Sequence, residues 1–258
     1  MKAVILAGGY GSRISEESSV RPKPMVEIGG MPILWHIMKI YSHHGVNDFV
    51  VCCGYKGDVI RDWFSNYQMK NADVTFDYRS NEVEIHSSPA EPWRVTLAET
   101  GDGTMTGGRL KHAAKHLDDE PFCLTYGDGV GDVDIRSSIE FHREHGKKAT
   151  MTVFQPDERF GVINLQPGDN TVTSFREKQK GKGIWANAGF FVLDRDVIDY
   201  IEGDQTSWEI EPMRQLAEEG EVVANRHTSF WMPMDTLRDK NVLEEMWTEG
   251  NPPWKCWD

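Results

Sequence analysis

The sequence contains no C-x-x-C pair, no basic block longer than Lys147-Lys148 and no apolar run of membrane-spanning length. Each absence removes a class of function. The four cysteines, Cys52, Cys53, Cys123 and Cys256, lack the spacing of a zinc knuckle or a thioredoxin-like motif, and read as small buried hydrophobes of a reducing compartment. A nucleic-acid binder would carry a basic face, whereas the formal net charge is −13, so no nucleic-acid partner is expected. The first apolar run spans only Ala3 to Ala7, which argues against a signal peptide, and no membrane partner is expected; a cytoplasmic protein follows. Two common phosphate loops are missing as well. Gly8, Gly9 and Gly11 have the wrong spacing for G-x-G-x-x-G, and Gly11 is followed by Ser12-Arg13 rather than by the Lys-Ser/Thr of a P-loop. His112 and His116 have i, i+4 spacing, but Ala113 stands where H-E-x-x-H needs Glu, so exposed helix histidines are the better reading.

What is present is enough for one sizeable core: 258 residues, 39% of them hydrophobic. The first half alternates short apolar strands with amphipathic helices. Ala3–Leu6, 49–53, 122–125 and 149–154 read as strands. Cys52 and Cys53, adjacent on one of them, should face opposite sides. Helical faces run from Ile33 to Tyr41 with Pro32 at N1, from Val59 to Tyr67, from Leu110 to Leu117 and from Ile135 to Glu144. This rhythm predicts an α/β fold: a Rossmann-like, mostly parallel sheet flanked by helices, with ligands at the carboxyl ends of the strands. The second half is β-rich, with strands predicted at 161–165, 172–176, 184–193 and 222–226, and a hairpin or edge ribbon at 81–100. A single domain over 1–258 is expected. The aromatic C-terminus, with Trp247, Trp254 and Trp257, needs burial on its own body or on another subunit.

The most informative stretch is Leu6-Ala7-Gly8-Gly9-Tyr10-Gly11-Ser12-Arg13 after the first strand, with Arg21-Pro22-Lys23-Pro24 beyond it. Three glycines let backbone N–H groups approach anionic oxygens, Arg13 adds a fork of donors, and Lys23 between two prolines is expected on extended backbone. A strand, an anion cradle, an Arg and a pinned Lys point to a triphosphate site. Asp128, between glycines at a predicted strand end, suits a hard cation. Asp235 in Pro233-Met234-Asp235-Thr236 reads on pattern alone as the N-cap of a helix beginning near Leu237, and helix capping is also the expected role of Asp132 and Asp134.

Together with Pro22-Lys23-Pro24-Met25-Val26-Glu27, Cys52-Cys53-Gly54-Tyr55-Lys56-Gly57, Met105-Thr106-Gly107-Gly108-Arg109, Tyr126-Gly127-Asp128-Gly129 and Pro233-Met234-Asp235-Thr236-Leu237-Arg238, the glycine loop resembles the sugar-1-phosphate nucleotidyltransferases over essentially the whole chain, and most closely their glucose-1-phosphate cytidylyltransferase branch. The resemblance implies CTP and glucose 1-phosphate as substrates, Mg2+ as cofactor and a homo-oligomer, with the C-terminal aromatics then packing on another subunit. In bacteria the product would feed dideoxysugar synthesis for surface polysaccharide. The resemblance assigns Leu6, Ala7, Gly8, Gly9, Tyr10, Gly11, Ser12, Arg13, Lys23, Thr104, Arg109 and Asp128 to the nucleotide, with Arg13, Lys23 and Asp128 catalytic. It assigns Glu177, Lys178 and Asn187 to the sugar phosphate, and Asp128 and Asp235 to the metal. Gln179 stands where the family has proline and Ala188 where it has glycine; Tyr10 and Ser12 replace its usual Leu and Thr. Another nucleotide or sugar phosphate, and a catalytically silent ligand-sensing subunit of the same fold, are the alternatives. Retention of Arg13, Lys23, Asp128 and Asp235 weighs against the silent one.

Overall fold

The structure, a computed structural model, describes residues 1–11, 14–87, 91–156, 162–166, 168, 172–176 and 184–257. In chain order its elements are β1 (Lys2–Leu6), α1 (Ser15–Ser18), β2 (Glu27–Ile28), β3 (Met31–Pro32), α2 (Ile33–His43), β4 (Asp48–Cys53), α3 (Gly57–Lys70), β5 (Asp73–Asp77), β6 (Glu82–Ser87), β7 (Arg94–Glu99), α4 (Thr106–Ala113), β8 (Phe122–Tyr126), β9 (Gly129–Gly131), α5 (Ile135–His145), β10 (Ala149–Phe154), β11 (Val162–Leu165), β12 (Val172–Arg176), β13 (Ala186–Leu193), α6 (Glu211–Glu218), β14 (Val222–Arg226), β15 (Trp231–Pro233) and α7 (Leu237–Thr248). Seven strands form one sheet in the order β14-β10-β13-β8-β1-β4-β7. It is mixed and mostly parallel: β13 runs antiparallel to both neighbours, and the other four pairings are parallel. Among the described residues, no helix is long and apolar enough to cross a membrane.

The period of two along the central strands builds both cores at once. Ala3, Ile5, Phe49, Val51 and Cys53 join the cluster beneath α2 and the C-terminus, while Val4, Leu6, Val50, Cys52, Phe122 and Leu124 join the cluster on the opposite face. Cys52 and Cys53 therefore do face opposite sides, and all four cysteines are free thiols.

Several local expectations are corrected. The hairpin is β5–β6, closed by the turn at 78–81, whereas β7 is a parallel edge strand of the main sheet. Polar alternation across 73–87 hid the first strand of that ribbon. Pro32 is the N-cap of α2 rather than N1, because it is still paired as the last residue of β3. Lys23 opens a 3-10 turn, Lys23–Met25; the extended residue is Pro22. Helix α4 starts at Thr106, so Gly107 and Gly108 lie in its first turn. There a Cβ would come within 2.7 Å of Thr206 O and 2.6 Å of Asp204 Cα, respectively. The neighbouring segment 204–208 can pack this closely only because both positions lack side chains, which outweighs glycine's poor helix propensity. Asp134 does cap α5 through Ser137 N, but Asp132 instead holds His227 and Ser229.

The C-terminal aromatics pack on their own chain. Trp254 is fully buried; Trp247 and Trp254 stack with ring centroids 6.4 Å apart, and Trp257 meets Trp35 edge-on at 5.6 Å. Their shared partner is the buried His36 of α2. Trp254 Nε1 donates to His36 Nδ1 at 3.4 Å, so Nε2 carries the ring proton and donates to Ile28 O at 2.9 Å. Burial depresses the His36 pKa to about 4, against a weaker opposing effect of the Ile28 carbonyl. A histidine held neutral stabilises the fold fully above its unfolded pKa near 6.5. That contribution, about 3 kcal/mol, is lost as pH falls from there toward 4, because the unfolded chain takes up the proton first. The melting temperature is therefore expected to fall across this window, and His36→Gln to flatten the slope. An unchanged slope in the variant would overturn the assignment.

Candidate active site

Strands β8, β1, β4 and β7 are mutually parallel neighbours, so the loops after each emerge along one edge of the sheet. Between them lies a cleft of about 340 Å³. Residues 6–11 of the glycine loop line it, with Lys23, Thr104, Arg109 and Asp128. Pro24, Asp102, Gly103, Met105, Thr106, Tyr126 and Gly127 line it as well. Gly11 adopts φ +61°, a conformation that a side chain would strain.

Arg109 fixes the shape of the loop from below. It is 4% exposed, and its guanidinium donates to Thr100 Oγ1 (2.7 Å), Gly101 O (2.7 Å) and Asp102 O (3.1 Å). A Cβ on Gly8 would come within 2.2 Å of Arg109 Nη1, so the glycine loop lies directly on the guanidinium. The arginine thus ties the loops after β1 and β7 together while spending these donors on protein oxygens.

Lys23, which also lines the cleft, is a second buried cation, 7% exposed. Its Nζ donates to Asp128 Oδ2 and to Asp235 Oδ1, each at 2.6 Å. Asp128 stands in the turn after β8, at the edge of the parallel sheet. Asp235 does not come from a strand of the parallel sheet. It follows β15, which lies outside the main sheet and pairs antiparallel with β9 in the register Gly129↔Pro233, Val130↔Met232 and Gly131↔Trp231. The bond from Met234 N to Asp128 O, 2.8 Å, completes the alignment. The N-cap reading of Asp235 is also corrected. Thr236 caps α7, accepting from Asp239 N, while the Asp239 carboxylate accepts from Thr236 N in a closed capping box. Asp235 is therefore one residue outside the cap, with its carboxylate turned to Lys23.

Asn187, at the start of β13, donates to the Tyr126 hydroxyl at 3.3 Å, next to the cleft. Burial, and then the Glu209 carboxylate, push the Tyr126 phenol pKa well above its ordinary value. Ser12, Arg13, Glu177 and Lys178 lie outside the described residues. Sequence reasoning assigned no role to Tyr126 and Glu209. Tyr126 sat inside a motif already noticed, but Glu209 carries no local signal. His112 pairs with Asp204 at 2.8 Å, and His116 lies in the 3-10 turn that follows α4. Among the described residues, no group of three or more metal-ligating side chains occurs.

A glycine loop at the edge of a parallel sheet, facing a lysine held between two carboxylates, defines an α/β protein built to handle phosphates. A family model described as nucleotidyl transferase matches residues 2–239. A glucose-1-phosphate cytidylyltransferase of Salmonella typhi is 58% identical over 259 residues, covering 100% of both chains, and one from Salmonella typhimurium matches to the same extent. The crystal structure of HddC from Yersinia pseudotuberculosis shares the fold, with a TM-score of 0.69 at 24% identity, covering 95% of this chain and 99% of that one. The chain belongs to the nucleotidyl transferase family, among the glucose-1-phosphate cytidylyltransferases.

Proposed function

We propose that this cleft transfers the cytidylyl group of CTP to α-D-glucose 1-phosphate, forming CDP-glucose and pyrophosphate. A phosphate oxygen of the sugar attacks the α-phosphorus in line. The new phosphorus–oxygen bond forms as the bond to the β-phosphate oxygen breaks, and pyrophosphate leaves. Nothing in this balance needs a covalent enzyme intermediate. The chemistry is positioning and charge neutralisation. The observation that carries the reading is Lys23 held by Asp128 and Asp235 beside the glycine loop. In this reading the lysine meets phosphate oxygens, Arg13 takes the triphosphate and Thr104 takes the base. Glu177 and Asn187 take the sugar hydroxyls, and Lys178 takes the sugar phosphate. In this division 1–130 serves mainly the nucleotide, and 131–258 the sugar phosphate and self-association.

The two aspartates also fit a divalent cation. Their oxygens converge on one ammonium, so they already share a cation position, and two hard carboxylates with phosphate oxygens and water are the donor set that Mg2+ takes. Bound there, Mg2+ would withdraw charge from the phosphates. Light scattering reads the self-association directly. A cytoplasmic site of action completes the reading.

The test is pyrophosphate release from four nucleoside triphosphates with glucose 1-phosphate. CTP is expected to be preferred and purine triphosphates to be poor; equal turnover with ATP or GTP would refute the base assignment. In the same assay Lys178→Ala should raise KM for glucose 1-phosphate far more than KM for CTP. Movement of the CTP constant alone would move Lys178 to the nucleotide side.

A further inference from the structure

We propose that Glu209 is a positioning residue for this transfer, clamping Thr106 and Tyr126 into one wall of the cleft with fixed hydroxyl directions. The inference rests on the cleft being the substrate site. Thr106 opens α4 and Tyr126 ends β8. Both line the cleft, whereas Glu209, an exposed residue before α6, is not among its lining residues. The Tyr126 hydroxyl donates to Glu209 Oε1 at 2.6 Å, and the Thr106 hydroxyl donates to Glu209 Oε2 at 2.6 Å. Each hydroxyl also accepts one bond: Thr106 Oγ1 from Trp208 N at 2.9 Å, and Tyr126 from Asn187 Nδ2 at 3.3 Å. The Asn187 side chain is oriented in turn by Gly189 N, which donates to its Oδ1 at 2.7 Å.

Every direction in this chain is determined, because a carboxylate accepts only and a backbone N–H donates only. Both hydroxyl protons are spent on Glu209. Toward a ligand, Thr106 and Tyr126 can therefore offer lone pairs but no proton. That surface suits a ligand donor, such as a sugar hydroxyl or an exocyclic amino group. The chain also links the loop on the nucleotide side to Asn187 on the sugar side through one carboxylate.

Glu209→Gln keeps the shape but destroys the pattern. A carboxamide offers one oxygen and one NH2, so one hydroxyl donor meets another donor. If the amide faces Tyr126, the phenol receives donors from both Asn187 and the new carboxamide, and its own proton must turn elsewhere. The variant is expected to lower kcat/KM by about tenfold, the scale of one hydrogen bond to a charged group, with melting temperature close to that of the parent. In a Thr106→Val/Tyr126→Phe background, where both donors are gone, the same substitution should cost less than about twofold, because interacting residues are not additive. Kinetics like the parent's for Glu209→Gln, or an equal loss in both backgrounds, would overturn the proposal. Asp128→Asn separates the two levels of failure. If Asp128→Asn is fully active, the cleft reading fails and this inference with it. If it is inactive while Glu209→Gln is unaffected, only the role of Glu209 is refuted.

Discussion

Asp128→Asn and Asp235→Asn are each expected to lower kcat by about 10²-fold or more, the loss typical of removing one electrostatic contact to developing charge, while the chain stays folded. Both substitutions keep size and remove charge. Each leaves Lys23 one carboxylate partner, so no buried ammonium is stranded. The geometry of α7 makes the result for Asp235 decisive. Its cap is Thr236, answered by Asp239, and not Asp235. Thr236→Ala should therefore cost stability, about 1 kcal/mol, and little activity, the reverse of Asp235→Asn. If Asp235→Asn proves nearly fully active but melts earlier, Asp235 serves the helix and the two-carboxylate site is refuted.

Lys23→Ala is expected to lower kcat by roughly 10²- to 10³-fold, and to do something that the aspartate variants do not. Removing the ammonium leaves two carboxylates that converged on it facing each other without that cation. The metal-free variant should melt below the parent, and added Mg2+ should raise its melting temperature by more than it raises that of the parent. A cation that binds only the folded state stabilises by mass action, and removing Lys23 removes one competitor for the same oxygens. Scanning fluorimetry with and without Mg2+ reads this independently of catalysis. An equal response to Mg2+ in variant and parent would show that the lysine and the metal do not compete for one position.

Much of the frame is legible in the amino-acid pattern. The strands expected at 149–154, 172–176 and 222–226 coincide with β10, β12 and β14, because each is rich in the β-branched and aromatic side chains that favour extended backbone. The glycine loop is legible for a similar reason: three glycines immediately after a buried strand have few purposes other than close backbone approach. What fails is local chemistry with two physical outcomes. Asp235 and Thr236 are both good caps, and only the placement of Asp239 decides between them. Gly107 and Gly108 read as loop, yet form the first turn of α4, because segment 204–208 packs where their side chains would be. The aromatic C-terminus announces burial but not the surface it is buried against, and that surface is α2 of the same chain, around His36.

The sequence by itself determined the period-two strands, the helical faces and the glycine loop, since these rest on residues adjacent in the chain and on the spacing rules of backbone geometry. Tertiary structure alone decided which distant groups meet. Asp128 and Asp235 converge on Lys23 because β15 pairs with β9 outside the main sheet, in a register no local pattern announces. Glu209 reaches Thr106 and Tyr126 because the segment before α6 returns to the same sheet edge. Arg109 lies beneath Gly8 because α4 packs across the end of β1. Side-chain contacts of this kind depend on how elements far apart in sequence are laid against one another, and local sequence carries almost no information about that.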